Sequence, residues 1–203
     1  MGRVRLTSQE RRAQLLDAAA VVIVEHGLAA LTMERLAATA GVSKALPYQH
    51  FDNADNLVGA LRRREMAVIG ERIATAVQVQ QDGTFEEVVA AAIHAYFDLL
   101  VERGTLLAVL ADAGRVRPNQ PDIDTNARRY LADLFERTAG LDHETGEIAA
   151  AIVLSSLPAG VDAWVTRRAS RRQVEAVLTL MIAGGVSLLA ARRIGLQPAN
   201  APN

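Results

Sequence analysis

The sequence predicts an all-α protein: an N-terminal three-helix unit carrying a helix-turn-helix, then a C-terminal helical bundle, about nine helices in all. Three observations carry this expectation. Apolar residues recur at helical spacing along most of the chain, as in Leu15, Ala18, Ala19, Val22 and Ile23. Hydroxyl-x-x-carboxylate signatures or a lone aspartate precede such runs, and glycines follow several of them. Nowhere do apolar and polar residues alternate between turn signals over the length of a strand, and the chain has no internal repeat.

Taken in order, Thr7-Ser8-Gln9-Glu10 is a capping box that starts a helix over 8–26, and Gly27 stops it. Thr32 caps a short helix over 33–40, with Leu36, Ala37 and Ala40 inward, and Gly41 ends it. Ser43 caps a third helix over 44–50. Asp52 or Asn53 opens a fourth, which runs to about Val79. Gly83 and Thr84-Phe85-Glu86-Glu87 give the next stop and capping box. The fifth helix then reaches Arg103, Gly104 ends it, and a short helix over 105–113 follows. The segment GRVRPNQPD, with two prolines, reads as a loop. Helices over 123–139, 143–168 and 171–193 complete the bundle, the last two capped by Asp142 and Ser170. Pro158 removes a bond inside the 143–168 helix and should kink it, with Ser155 near enough to satisfy the freed carbonyl. The expected divisions are 1–52, 53–195 and a disordered tail over 196–203.

At 203 residues and half hydrophobic, the chain is long enough for a sizeable core. It has no cysteine, which excludes disulfides, a thiolate nucleophile and a thiolate metal site. Its first residues, MGRVRLTSQERR, are polar and basic with no apolar signal segment behind them. The apolar stretches are Ala-rich and interrupted by Gly, Ser or Pro, short of the roughly 20 strongly apolar residues of a membrane span. A cytoplasmic protein with no membrane association is expected. The formal net charge is −1, distributed as +2 over residues 1–72 and −3 over the rest. That asymmetry points weakly to a basic N-terminal face, and a solvated surface of mixed sign accounts for it equally well. Lys44 is the only lysine, against 21 arginines.

The stretch GVSKALPYQHF, residues 41–51, is where chemistry concentrates. A short helix, a glycine turn and a second short helix form a helix-turn-helix. At 100° per residue, Pro47 and Phe51 share one face and should pack inward. Ala45, Leu46 and Gln49 lie opposite, with Lys44, Tyr48 and His50 at the margins. The outward set suits a major groove. Gln49 can pair with adenine, and Ala45 and Leu46 can meet a thymine methyl group. Lys44, Tyr48, His50, Thr32 and the helix start at Ser43 can bond phosphates. Arg3, Arg5, Arg11 and Arg12 form a basic N-terminal arm able to add phosphate or minor-groove contacts. Short glycine-linked helix pairs also occur in helical proteins that bind no DNA, and Tyr48 taken singly reads as readily as a packing residue.

Residues 7–62 resemble the DNA-binding domain of the TetR family of bacterial regulators. The resemblance rests on Thr32, Leu36-Ala37, Ala40-Gly41-Val42-Ser43, Tyr48, His50-Phe51 and Leu57. It implies a homodimeric, ligand-responsive regulator, usually a repressor, with double-stranded operator DNA as its partner. It also implies that Lys44, Ala45, Leu46, Tyr48, Gln49 and His50 occupy DNA-contacting positions. Two departures matter. Ala54 stands where the family commonly has a phosphate-binding lysine, beside Asp52 and Asp55. Met33 and Glu34 stand where polar or basic residues are frequent. Glu34 either accepts a bond from cytosine or faces solvent, and solvent is the expectation.

Dimers read two half-sites about one helical turn apart, so a dimer surface is expected, and the last two helices are the candidates. Val177, Met181, Gly184, Gly185, Leu188 and Leu189 form an apolar stripe with small residues at its middle, suited to another helix of this chain or of a partner. Candidate effector-lining residues are Met66, Ile69, Ile93, His94, Tyr96, Phe97, Leu100, Leu110, Tyr130, Leu134 and Trp164, with His94 or Tyr130 orienting an apolar or amphipathic small molecule. Core packing explains each of them as well. Two other function classes compete. A helical-bundle enzyme has little to rest on, because His26, His50, His94 and His143 are far apart in sequence and none sits in a Glu-x-x-His or His-Glu-x-x-His pattern. A helical adaptor with a degenerate helix-turn-helix is kept open by Ala54 and the small positive charge. Neither a cofactor nor a metal is expected.

Overall fold

The computed structural model describes residues 6–115 and 124–192. Among them are eight α-helices and one 3-10 turn: α1 Ser8–His26, the 3-10 turn Leu28–Ala30, α2 Met33–Ala40, α3 Leu46–His50, α4 Ala54–Val79, α5 Phe85–Arg115, α6 Asp124–Ala139, α7 His143–Val165 and α8 Arg171–Arg192. The all-helical class therefore holds, with one helix fewer than expected. The arm residues Arg3 and Arg5, most of the GRVRPNQPD segment and the tail over 196–203 lie outside the described residues.

Local chemistry fixes the helix starts. Thr7 and Glu10 form a full capping box, with the Glu10 carboxylate accepting the Thr7 N–H at 2.7 Å. Thr84 with Glu87, and Ser170 with Gln173, repeat the device at α5 and α8. Asn53 Oδ1 accepts the Asn56 N–H at 2.8 Å and starts α4. Asp142 accepts the Thr145 N–H at 3.0 Å and starts α7. Gly27, Gly41 and Gly140 sit at φ of 78°, 66° and 70°, where a side chain would be strained, and each follows a helix end.

Gly104 departs from expectation. It does not adopt positive φ, and α5 runs through it without a break to Arg115. A mid-helix glycine costs about 1 kcal/mol. Burial of Leu106, Leu107 and Leu110 just beyond it, each worth roughly 1.5–3 kcal/mol, outweighs that cost. Pro158 lies exposed inside an α7 that continues to Val165, and Ser155 Oγ donates to the Ala151 carbonyl at 2.8 Å rather than to the carbonyl that Pro158 frees. The 143–168 helix thus ends three residues early, in a turn where Arg167 takes φ 58°.

Two compact units result: Met1–Val68 with Leu99–Gln120, and Ile69–Asp98 with Pro121–Asn203. The first, which holds the helix-turn-helix, packs Leu15, Leu16, Ala19, Val22 and Ile23 of α1 against Leu36 of α2, Phe51, Leu57 and Leu61 of α4, and Leu106 and Leu110 of α5. At its edge lies a buried charge. Glu65 is 1 % exposed and follows Leu57 and Leu61 at four-residue spacing on the inner face of α4. Its Oε1 accepts from Arg64 Nε and Nη2 at 3.2 and 3.1 Å, and its Oε2 accepts from Arg103 Nη1 at 2.6 Å. Arg64 Nη1 also donates to Asp17 of α1 at 2.6 Å, so one carboxylate ties three helices.

The second unit packs Val89, Ile93 and Phe97 against Ala132, Phe135, Ala149, Ala150, Val174, Leu178 and Ile182. Phe97 meets Tyr96 edge-on at 5.8 Å and Trp164 at 5.5 Å. Gly160 lets α7 and α8 approach: a Cβ there would lie 3.0 Å from Leu178 Cδ1 and 3.1 Å from Val174 Cγ1. Gly160→Val is therefore expected to cost about 1–3 kcal/mol in urea unfolding. No loss of stability would mean that α8 yields freely at this point.

Both α7 and α8 are apolar well beyond what this burial uses. Their best 18-residue windows have mean hydropathies of 1.7 and 2.0, and only 11 % and 33 % of those windows are buried. By length and composition either helix is sufficient to cross a bilayer, which corrects the expectation that no stretch reaches that limit. The Ala, Val, Leu and Ile content raises the average enough to outweigh the interrupting Gly, Ser and Pro. Ile148 and Ile152 of α7, and Val177, Leu180, Met181 and Leu188 of α8, are exposed, and a Cβ on Gly184 or Gly185 would meet nothing within 4 Å.

Candidate nucleic-acid interface

The turn between α2 and α3 is built locally. Gly41 donates to the Ala37 and Ala38 carbonyls in the left-handed conformation, and Val42 N–H bonds the Ala37 carbonyl at 3.0 Å. From α1, Gln14 Nε2 donates to the Ala40 carbonyl at 3.0 Å and so satisfies one of the open carbonyls at the end of α2. Arg11 holds that glutamine, donating to its Oε1 at 2.6 Å. Arg12 lies over the Phe51 ring, 4.9 Å from its centroid. Both half-buried arginines of α1, expected in the basic arm, are thus engaged in positioning the motif.

Helix α3 begins at Leu46, two residues later than expected. Ser43 does not cap it through its side chain. The Ser43 carbonyl instead accepts the Leu46 N–H at 3.0 Å in a turn over Lys44-Ala45, and Ala45 leads into the helix. Pro47 then falls in the first turn, where a missing N–H costs nothing. Pro47 is fully buried and Phe51 is buried beside it, the inward pair expected from the wheel. On the other side Ser43, Lys44, Ala45, Tyr48 and Gln49 are exposed, Tyr48 by 57 %, while Leu46 and His50 are half-buried. Thr32 is exposed, and its hydroxyl accepts the Arg35 N–H as the cap of α2. All eight candidate DNA residues therefore lie on one compact motif.

Glu34 does not simply face solvent. Its Oε1 accepts from Lys44 Nζ at 2.9 Å, joining the first turn of α2 to the start of the reading segment. That hydrogen bond and the opposite charge behind it hold the Glu34 carboxyl below its ordinary range and push the Lys44 ammonium up. Beyond Phe51, Asn56 Nδ2 donates to Asp52 at 2.7 Å.

The effector candidates divide between the units. Met66 and Leu100 belong to the first. Leu100 lines a groove of about 390 Å³ with Asp17, Val24, Arg64 and Arg103. His94, Tyr96, Phe97, Tyr130, Leu134 and Trp164 belong to the second, where Tyr96 and Trp164 pack against the buried Phe97 as part of the core. His94 is exposed in a polar cluster, 3.6 Å from Asp98 and 3.4 Å from Glu175, with Arg171 donating to Asp98 at 2.7 Å. Burial pushes the Tyr96 and Tyr130 hydroxyls up. Among the described residues no group of three or more His, Asp or Glu is arranged to hold a metal ion.

A glycine-turned helix pair with an exposed reading face, joined to a separate helical unit, defines a helix-turn-helix protein with a companion domain. The model for bacterial regulatory proteins of the tetR family matches residues 15–61. The HTH-type transcriptional activator FasR of Mycolicibacterium smegmatis is 29 % identical over 161 residues, 75 % of this chain and 72 % of that protein. A tetR-family transcriptional regulator from Streptomyces coelicolor superposes with a TM-score of 0.72 at 19 % identity, covering 97 % of this chain and 94 % of that one. The regulator FadR of Bacillus subtilis, solved with stearoyl-CoA, superposes with a TM-score of 0.65 at 20 % identity, covering 85 % and 98 %. Residues 15–61 thus match the tetR-family model, and the chain is similar over most of its length to transcriptional regulators of that kind.

Proposed function

We propose that this protein is a cytoplasmic, homodimeric regulator, not an enzyme, that holds operator DNA through α3 of each subunit over residues 1–52 and responds to a small molecule bound within 53–195. The observation that carries the reading is the division of α3: Pro47 and Phe51 are buried, whereas Lys44, Ala45, Tyr48 and Gln49 stand free of the core. The apolar α7 and α8 faces supply a surface for the second copy. Repression is the working sign, with the ligand favouring a form whose two reading helices no longer match the half-site spacing. The M. smegmatis relative is an activator, so the sign has its own test. Deleting this chain's gene should raise expression from the bound promoter if the protein represses, and lower it if it activates.

The binding test is a band-shift titration on the DNA upstream of the protein's own gene, against random-sequence duplex, at several salt concentrations. A retarded complex of dimer stoichiometry, favouring the upstream DNA, is expected. Equal binding to both duplexes would sink the reading. Gln49→Ala is expected to relax the choice of one base pair per half-site by about 1–3 kcal/mol, whereas Pro47→Leu keeps the same preferred sequence. For the effector, an amphipathic acyl thioester is the first probe, because the B. subtilis regulator of similar fold was solved with stearoyl-CoA. Added stearoyl-CoA should dissociate the complex; no effect at saturating ligand removes that class of effector.

A further inference from the structure

The charges around the reading segment are unusual for a surface that meets a polyanion. Residues 27–56 contain two cationic side chains, Arg35 and Lys44, against three anionic ones, Glu34, Asp52 and Asp55. Arg12 is turned onto Phe51 and Arg11 onto Gln14. Lys44, the chain's one lysine, lies at the start of the α3 turn, where a phosphate contact is most accessible, and Glu34 already holds it at 2.9 Å. Both side chains are largely solvent-exposed, 79 % for Lys44 and 71 % for Glu34, so neither is part of the core.

We propose that Glu34 is an internal counterion of Lys44, which restrains it from the DNA backbone and keeps sequence-independent binding weak. This rests on the α3 reading above and adds a residue that acts through Lys44. The physical basis is counterion release. A lysine that neutralises a phosphate frees a condensed cation from the duplex, and each such contact steepens the salt dependence by about 0.9. A Lys44–Glu34 pair carries no net charge to the backbone and frees none. Glu34 in addition brings a carboxylate towards phosphates. Since phosphate contacts supply essentially all of non-specific affinity, whereas base contacts specify sequence, the pair lowers affinity for random DNA more, in proportion, than it lowers discrimination. Position also matters. Glu34 sits in the first turn of α2, where the helix dipole favours a carboxylate. Neutralising it weakens α2 slightly, if it does anything to the fold, so a gain in DNA affinity cannot come from a better-made motif.

The test uses the full chain and a random-sequence duplex, so that it needs no operator. Dissociation constants are measured by fluorescence anisotropy from 50 to 200 mM salt for wild type, Glu34→Gln, Glu34→Asp, Lys44→Met and the Glu34→Gln/Lys44→Met double variant. Glu34→Gln should bind more tightly, with the slope of log K against log salt steeper by about 0.9 per subunit, and its advantage should shrink about 3.5-fold per subunit across that range. Glu34→Asp, which keeps the charge, should keep the wild-type slope. Lys44→Met should bind somewhat more weakly than wild type, because Glu34 then faces the duplex unpaired, but with no shallower slope, and adding it to Glu34→Gln should abolish the gain and restore wild-type affinity. An unchanged slope in Glu34→Gln overturns the proposal, as does a shallower slope in Lys44→Met alone, which would mean that Lys44 already engages phosphate with Glu34 in place. If wild type and every variant fail to bind both random and upstream DNA, the α3 reading falls and this proposal falls with it; wild-type binding with no slope change in Glu34→Gln removes the counterion alone.

Discussion

The double variant Leu180→Arg/Met181→Arg is expected to behave as a monomer in light scattering and to lose roughly 10²–10⁴-fold in affinity for a two-half-site operator. The two residues are 62 % and 66 % exposed and lie along α8 between Val177 and Gly184 and Leu188, and Ile148 and Ile152 of α7 are exposed as well. A single copy leaves this surface in water. Each aliphatic side chain returned to an apolar contact contributes about 1.5–3 kcal/mol when buriable area is fully used. Two guanidinium groups at the centre remove that gain and introduce like charges across a two-fold axis. The variant should keep its helical content, because neither side chain supports the core of its own chain. A double variant that remains dimeric would mean that the copies meet through another face. Gly184→Ala offers a finer measure. In an isolated helix it stabilises by up to about 1 kcal/mol, so a loss of dimer stability on this change would report a helix packed against that glycine.

The largest expected effect on the first unit comes from Arg64. Replacing it with Met removes both of its bonds to Glu65 and the one to Asp17, and leaves a fully buried carboxylate held by Arg103 alone. Breaking a buried pair from one side costs about 3–5 kcal/mol. Arg64 keeps a quarter of its side chain in water, so about 2–3 kcal/mol is expected here, a fall in Tm of roughly 4–12 °C for a chain of this length. Adding Glu65→Leu to Arg64→Met should recover most of the loss, since a leucine continues the Leu57–Leu61 face and leaves no buried charge. Circular dichroism is the appropriate probe, because the single tryptophan, Trp164, reports on the second unit. If Arg64→Met melts with wild type, water must already reach Glu65.

How far residues announce their structure varied along the chain in a consistent way. Most helix starts were legible, since a cap such as Thr7 with Glu10 is satisfied within four residues; α3 is the exception, because Ser43 makes a backbone turn in place of a side-chain cap. The inward turn of Pro47 and Phe51 followed from helical spacing alone. Features that depend on tertiary partners were not legible. Gly104 reads as a stop, but whether a glycine ends a helix depends on its φ, and here the burial of Leu106 to Leu110 keeps the helix going. Glu65 sits next to Arg62-Arg63-Arg64 and looks like part of a solvated charge run. Its signal was the four-residue spacing after Leu57 and Leu61, which puts it on the inner face. Glu34 and Lys44 are ten residues apart on two helices, and only the glycine turn between them brings the pair together. In the second unit, Tyr96, Phe97 and Trp164 were candidates for a cavity wall, and Phe97 instead packs against the other two rings, a difference that periodicity does not encode.

The three exposed box caps, Thr7–Glu10, Thr84–Glu87 and Ser170–Gln173, also bear on how the chain reaches this state. Each satisfies first-turn backbone donors with a side chain three residues away and asks nothing of the core. The costly step in making an isolated helix is its first turn, and here that step is eased at the starts of α1, α5 and α8 by neighbours in sequence. A nascent chain of this protein can therefore mark where these helices begin before the residues that will bury them have been synthesised.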